Sequence, residues 1–290
     1  MGDDTFVLGN MGDTGSEVFY NTKDLHGSPA VEYGVLDNPM TAGQGPTIAG
    51  MEDNTSVDDP CVTLYVEVEY DIYQHHNSDE AATREWVEAA FAEVFALYAN
   101  DGIRVTIKSM KIWTSDDGYP TSGSGSKLDD FTSRLNGEFD GDLAHLISYD
   151  GGGGIAYLDV LCYPWYGTGY SGLSTSYSKA PLFSWTVEVI AHEIGHNLGS
   201  PHTHSCSWGP NGNEAIDCCG ADAGYNECSG SCNAASDPVD GGTIMSYCHL
   251  TSTGINFNHG FGPYPVERMT GLIKNASCLS TCDKGGDDDC

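Results

Sequence analysis

The chain has 290 residues, and its 42 acidic against 11 basic side chains give a formal charge of −31. That length suits one large domain or two small ones, and 39% apolar residues still supply a core. So acidic a chain repels phosphate backbones and anionic membranes, which argues against nucleic-acid binding, and no run approaches the ~18 apolar residues of a bilayer span.

Residues 1–59 are rich in Gly, Asp, Asn, Thr and Pro and show no sustained periodicity. They read as a pro-segment remnant or a flexible leader. The pattern sharpens at Cys61, where residues 62–70 alternate as a half-buried strand does. Ser78 or Asp79 caps a helix to about Tyr98, with Trp86, Ala90, Phe91, Val94 and Leu97 at helical spacing. Gly102 ends it. A second strand is expected over 103–113, a helix over 128–139 and a third strand over 143–149. Four glycines, 151–154, lead into a fourth strand over 155–162. This alternation predicts an α/β sheet with at least one parallel crossover. A helix over about 184–198 precedes a long loop region that holds most of the eleven cysteines, and a last helix runs from Pro265 to about Asn275.

Cysteines set among Gly, Asn, Ser and Asp read as a disulfide-stapled region in an oxidising compartment, so the chain is expected to be secreted. The first ten residues carry acids instead of a basic start and an apolar run, so a signal peptide is expected upstream of them. Eleven is odd, and the terminal Cys290 is the candidate for the unpaired thiol. The acidic tail, 284–290, is expected outside the folded part.

The chemistry concentrates in residues 191–202, Ala-His-Glu-Ile-Gly-His-Asn-Leu-Gly-Ser-Pro-His. Residues four apart share a helix face, so His192 and His196 can present two imidazoles to one metal. Gly199 can take a left-handed conformation that turns the chain back and returns His202 as a third ligand. Three neutral imidazoles leave a fourth position open, the mark of a catalytic zinc (Zn2+) site. Glu193, one helical step round, can take a proton from an attacking water without itself binding metal. Chance produces this full pattern in roughly one such chain in ten thousand. Calcium (Ca2+) is admitted on weaker grounds, because the clustered acids lack EF-hand spacing.

This stretch resembles the zinc signature of the metzincin peptidases. Thr243-Ile244-Met245-Ser246-Tyr247 is similar to their Met-turn. The run 196–202 followed by Cys206, the glycine-rich lead-in to Ile155, and the cysteines flanking the Met-turn are closest to the adamalysin/reprolysin-like branch. Thr203 departs from that branch, where Asp is typical. The resemblance covers about residues 60–283. It implies a mixed twisted sheet with helices above a cleft (residues 60–199) and a smaller, disulfide-rich, irregular lower part (200–283). It further implies a monomeric endopeptidase acting on protein or peptide substrates, with Met245 as an apolar floor under the metal. Tyr247 is then a candidate hydrogen-bond donor to the oxyanion. Gly153, Gly154, Ile155 and Ala156 become the start of an exposed edge strand that pairs with substrate, and residues 254–262, with Phe257 and His259, a wall of the pocket. His204 is not needed as a ligand, and His75 and His76 are expected in a solvated turn. The alternatives are a zinc-binding module without turnover, a peptidase restricted to one partner or to its own precursor, and a disulfide-rich adhesive protein with incidental histidines. The first two need the same three ligands, and only catalysis needs Glu193.

Overall fold

The computed structural model describes residues 60–234 and 238–281, together with the backbone of three short strands before them. The first two, β1 (Phe6–Met11) and β2 (Ser16–Asn21), form an antiparallel hairpin within a unit of their own, Met1–Val31. The other residues of 1–59, and residues 282–290 with the acidic tail and Cys290, lie outside the described residues.

The second unit is built on a sheet of β3 (Tyr33–Asp37), β4 (Pro60–Val68), β5 (Val105–Ile112), β6 (Leu143–Ser148), β7 (Gly154–Leu158) and β8 (Thr168–Gly172). The order across it is β3-β7-β8-β6-β4-β5. Strands β5, β4, β6 and β8 run parallel, whereas β7 turns back antiparallel to β8. The mixed α/β sheet and its crossovers are as anticipated. Central β4 buries more than an alternating strand would, because it lies between two parallel neighbours. A short β9 (Ser280–Thr281) pairs with the start of β4.

The helices follow their local signals with shifted ends. Helix α1 (Tyr70–His75) was not anticipated; His75 closes it and His76 caps it, hydrogen-bonded to the Tyr149 hydroxyl at 3.1 Å. Helix α2 (Glu80–Asn100) starts after Asp79, whose carboxylate accepts from the amides of Ala81 and Ala82. Helix α3 (Ser124–Leu135) lies earlier than expected, stopped by the left-handed Asn136. Then come α4 (Trp185–Asn197), the short α5 (Cys219–Asp222) and α6 (Pro263–Asn275).

Two differences bear on the site. Strand β8, Thr-Gly-Tyr-Ser-Gly, has no alternation to announce it, yet it is wholly buried between β6 and β7. Strand β7 ends at Leu158 instead of Cys162, because the next amides leave the sheet: Asp159 donates to the His196 carbonyl and Val160 to that of Asn197, both at 3.0 Å. The second bond satisfies the helix-end carbonyl of Asn197, while that of His196 also accepts from the Gly199 amide at 2.8 Å.

After α4 the chain has little regular structure. It is stapled by disulfides Cys206–Cys228, Cys218–Cys232 and Cys219–Cys248, while Cys162–Cys278 ties the segment after β7 to the one after α6. The last closes 116 residues, so replacing both cysteines by serine is expected to cost about 2–4 kcal/mol of stability. Thermal unfolding checks this, and an unchanged Tm would refute it.

Candidate metal centre and active site

Helix α4 is buried from Thr186 to Asn197. It packs on β7, β8 and α2, and the Tyr98 hydroxyl of α2 donates to the Ala191 carbonyl at 2.7 Å. Asn197 fixes its far end by donating to the carbonyls of Tyr157 and Thr168, both at 2.9 Å. His192 and His196 share one face, with ring centroids 4.7 Å apart. Gly199 takes φ +94°, a conformation that costs glycine little. There Ser200 bonds back to the Gly195 carbonyl at 3.0 Å. The chain returns so that His202 Nε2 lies 3.1 Å from His196 Nε2. One ligand nitrogen from each of His192, His196 and His202 lies within 4.8 Å of the other two.

Each ring is oriented through its other nitrogen. His192 Nδ1 bonds the Ile244 carbonyl and His196 Nδ1 the Ser200 carbonyl, each at 2.7 Å. His202 Nδ1 meets Glu227 Oε1 at 2.5 Å. An imidazole that donates from Nδ1 offers its Nε2 lone pair. Burial, then the neighbouring imidazoles, hold the pKa values of His192 and His196 well below the ordinary histidine range. Burial lowers that of His202 too, against the pull of Glu227. Three buried, neutral, converging imidazoles with fixed Nδ1 atoms fit a zinc ion.

Glu193 is buried, and its Oε2 makes no hydrogen bond among the described residues. Burial, followed by the charge of Glu188, pushes its carboxyl well above the usual range. Its carboxylate lies against the backbone of Gly154, so closely that a Cβ there would overlap it. Gly154 is therefore a point of close approach between the Glu193 carboxyl and the first residue of β7. Gly153, at φ +59°, accepts from the Gly172 amide at 2.7 Å, and Ile155 and Ala156 pair with Tyr170 and Gly169 of β8. The other edge of β7 carries β3: Tyr33–Asp37 run parallel to Gly154–Leu158.

Met245 is buried against Gly195, where an added Cβ would lie 2.6 Å from its sulfur. The turn that carries it is bonded on both sides. Ile244 accepts from His192, and Met245 accepts from the Thr203 amide at 3.0 Å. Tyr247 is buried with its ring 4.4 Å from that of His202 and 5.9 Å from that of His192. Burial, then Glu193, keeps its phenol protonated well above the ordinary range. Phe257 is buried, and His259 Nδ1 bonds the Gly241 carbonyl at 3.0 Å.

Three features were not anticipated. Glu227 pairs with His202 although 25 residues separate them, and no sequence signal marks it. His204 stacks on His202 with centroids 4.9 Å apart and planes 11° from parallel. Gly195, the second variable position of the motif, has to be small because Met245 lies on it.

A family model described as Metallo-peptidase family M12 (Reprolysin_5) matches residues 59–257. A zinc metalloproteinase/disintegrin of Bitis gabonica is 25% identical over 177 residues, 56% of this chain and 52% of that protein. The chain thus spans about half the length of that relative. Among solved structures, metalloproteinase-II from Bacteroides fragilis is similar with a TM-score of 0.33 and 17% identity, over 53% of this chain and 49% of the other. A chain from the structure of a chaperone-substrate complex gives a TM-score of 0.43 and 12% identity, over 76% of this chain and 35% of the other. The match over 59–257, which spans the whole histidine constellation and the Met-turn, places the chain in metallo-peptidase family M12, as a reprolysin-like metzincin.

Proposed function

We propose that this chain is a secreted zinc endopeptidase, acting as a monomer, that hydrolyses internal peptide bonds in extended protein segments. The observation that carries the reading is the convergence of His192, His196 and His202 as neutral ligands beside Glu193. Zinc, when bound there, supplies positive charge and a water acidified to a pKa of roughly 7. Glu193 takes the proton of the attacking water and delivers it to the leaving amine nitrogen. The Tyr247 phenol, protonated and beside His202 and His192, donates to the oxyanion as it forms. Met245 keeps the helix backbone at Gly195 in place beneath the ligands.

The substrate backbone pairs along Gly153, Gly154, Ile155 and Ala156. Contact between Gly154 and the Glu193 carboxylate puts a chain paired there beside the general base. That edge is where Tyr33–Asp37 sit. This supports reading residues 1–59 as a pro-segment that covers the substrate position, in place of a mere leader. The disulfides of the lower part support secretion.

Incubating the protein with an unstructured substrate protein, with and without a zinc chelator, tests the activity. Mass spectrometry should find internal cuts that chelation abolishes. Absence of cuts from zinc-loaded protein lacking residues 1–59 would refute the endopeptidase reading and favour a binding module. Deleting residues 1–59 is expected to raise kcat/KM at least about tenfold, because a strand already paired on β7 has to leave before substrate can enter. An unchanged rate would make them a leader only.

A further inference from the structure

His202 differs from the other two histidines in how it is held. His192 and His196 sit on a helix, and each donates to a backbone carbonyl. His202 comes from a loop, and its Nδ1 partner is a carboxylate, Glu227 Oε1, at 2.5 Å. Glu227 stands on a loop with no regular structure of its own, yet it is delivered to this point covalently. Cys228, the next residue, is bonded to Cys206, four residues past His202. The staple therefore joins the loop of the ligand to the loop of its partner.

The ring is also clamped from its faces. His204 is fully buried and stacks on it with centroids 4.9 Å apart, and the Tyr247 ring meets it edge-on at 4.4 Å. His204 is itself pressed against the backbone of Gly220, which leaves no room there for a Cβ. Its Nε2 lies 3.5 Å from the same Glu227 oxygen.

We propose that Glu227 is a positioning residue for the metal centre. Its carboxylate accepts from His202 Nδ1, fixes the tautomer that turns Nε2 to the metal, and raises the basicity of that nitrogen. The Cys206–Cys228 disulfide sets its position. This rests on His202 being a zinc ligand. A carboxylate behind a ligating imidazole typically contributes 10–100-fold in metal affinity. A loop ligand gains most from it, because no helix fixes the direction of its side chain.

The test is zinc affinity of the full chain, measured by competition with a chromophoric chelator, together with the visible spectrum of the cobalt-loaded protein and circular dichroism to report folding. Glu227→Ala is expected to weaken zinc about 10–100-fold and to shift the cobalt bands. Glu227→Gln, which keeps the shape and an accepting oxygen but not the charge, is expected to fall between Ala and the parent. Folded Glu227→Ala protein with zinc affinity within about twofold of the parent and unchanged cobalt bands would overturn the proposal. So would a second zinc per chain that Glu227→Ala loses while the first is kept, since Glu227 and His204 would then be ligands of another ion. His202→Ala separates the two layers of argument. If it binds zinc as tightly as the parent, the ligand assignment itself fails. If only His202→Ala weakens zinc, the assignment stands and the role of Glu227 falls.

Discussion

Replacing Glu193 by Gln is expected to lower kcat/KM for protein cleavage by about 10²–10⁴ while zinc affinity stays within about twofold of the parent. The amide preserves the volume packed over Gly154, so β7 and the helix stay in place. It cannot accept the proton of the attacking water. The three imidazoles keep their own partners at Ile244, Ser200 and Glu227, which makes metal retention independent of this side chain. Steady-state cleavage of a peptide substrate, read beside the zinc content of the same preparation, checks both halves. Parental turnover in the zinc-loaded variant would assign the general base elsewhere. Loss of zinc along with activity would make Glu193 a structural support of the centre.

Lys127→Met is expected to be the most damaging single change to the fold away from the histidines, at about 3–5 kcal/mol. For a domain of this size that corresponds to a fall in Tm of roughly 6–20 °C. The Lys127 ammonium is fully buried, 2.6 Å from Glu69 Oε2 and 2.5 Å from Asp150 Oδ1. Its stem packs under Gly151, where an added Cβ would lie 2.7 Å from Cε. The pair therefore anchors the start of the glycine run that leads into β7. Methionine fills the space but leaves the buried Glu69 carboxyl and Asp150 Oδ1 without the ammonium they share.

The pH dependence follows from the same group. Burial pushes Glu69 up to about 8, with Lys127 pulling the other way. A carboxyl whose folded pKa is raised makes stability fall as pH rises from the unfolded value, 4.5, to the folded one. Removing Lys127 raises the folded value further, so both proteins lose stability alike up to about pH 8 and the deficit of the variant grows only above it. Thermal melts of both proteins below and above about pH 8 check the sign. A deficit independent of pH would show that packing alone, and not the lost counter-charge, is responsible.

The elements that were legible in the sequence are those whose causes are local. Helix α2 carries its own cap at Asp79 and a run of apolar positions at helical spacing. Helix α4 is similar: His192 and His196 share a face because of the helical repeat alone, and Gly199 marks the turn because few other residues tolerate φ +94°. Strand β8 was not legible. Its two glycines are there for close approach: a Cβ added at Gly169 would lie 3.1 Å from Asn197 and His145, and one added at Gly172 would lie 2.9 Å from the Gly152 backbone. A segment selected for what presses on it loses the alternation that would identify it as a strand.

The sequence by itself determined the histidine spacing of the candidate metal site, the family and most of the order of helices and strands, because those follow from local patterns along the chain. Only the tertiary structure decided what surrounds that chemistry. It brought Glu227 across 25 residues onto His202, seated Tyr33–Asp37 along β7, and buried Lys127 beneath the glycine run. Each of these depends on chain closure over long separations, through a disulfide, a sheet edge or a buried ion pair. Composition and periodicity report on neighbours along the chain, and these partners are neighbours only in space.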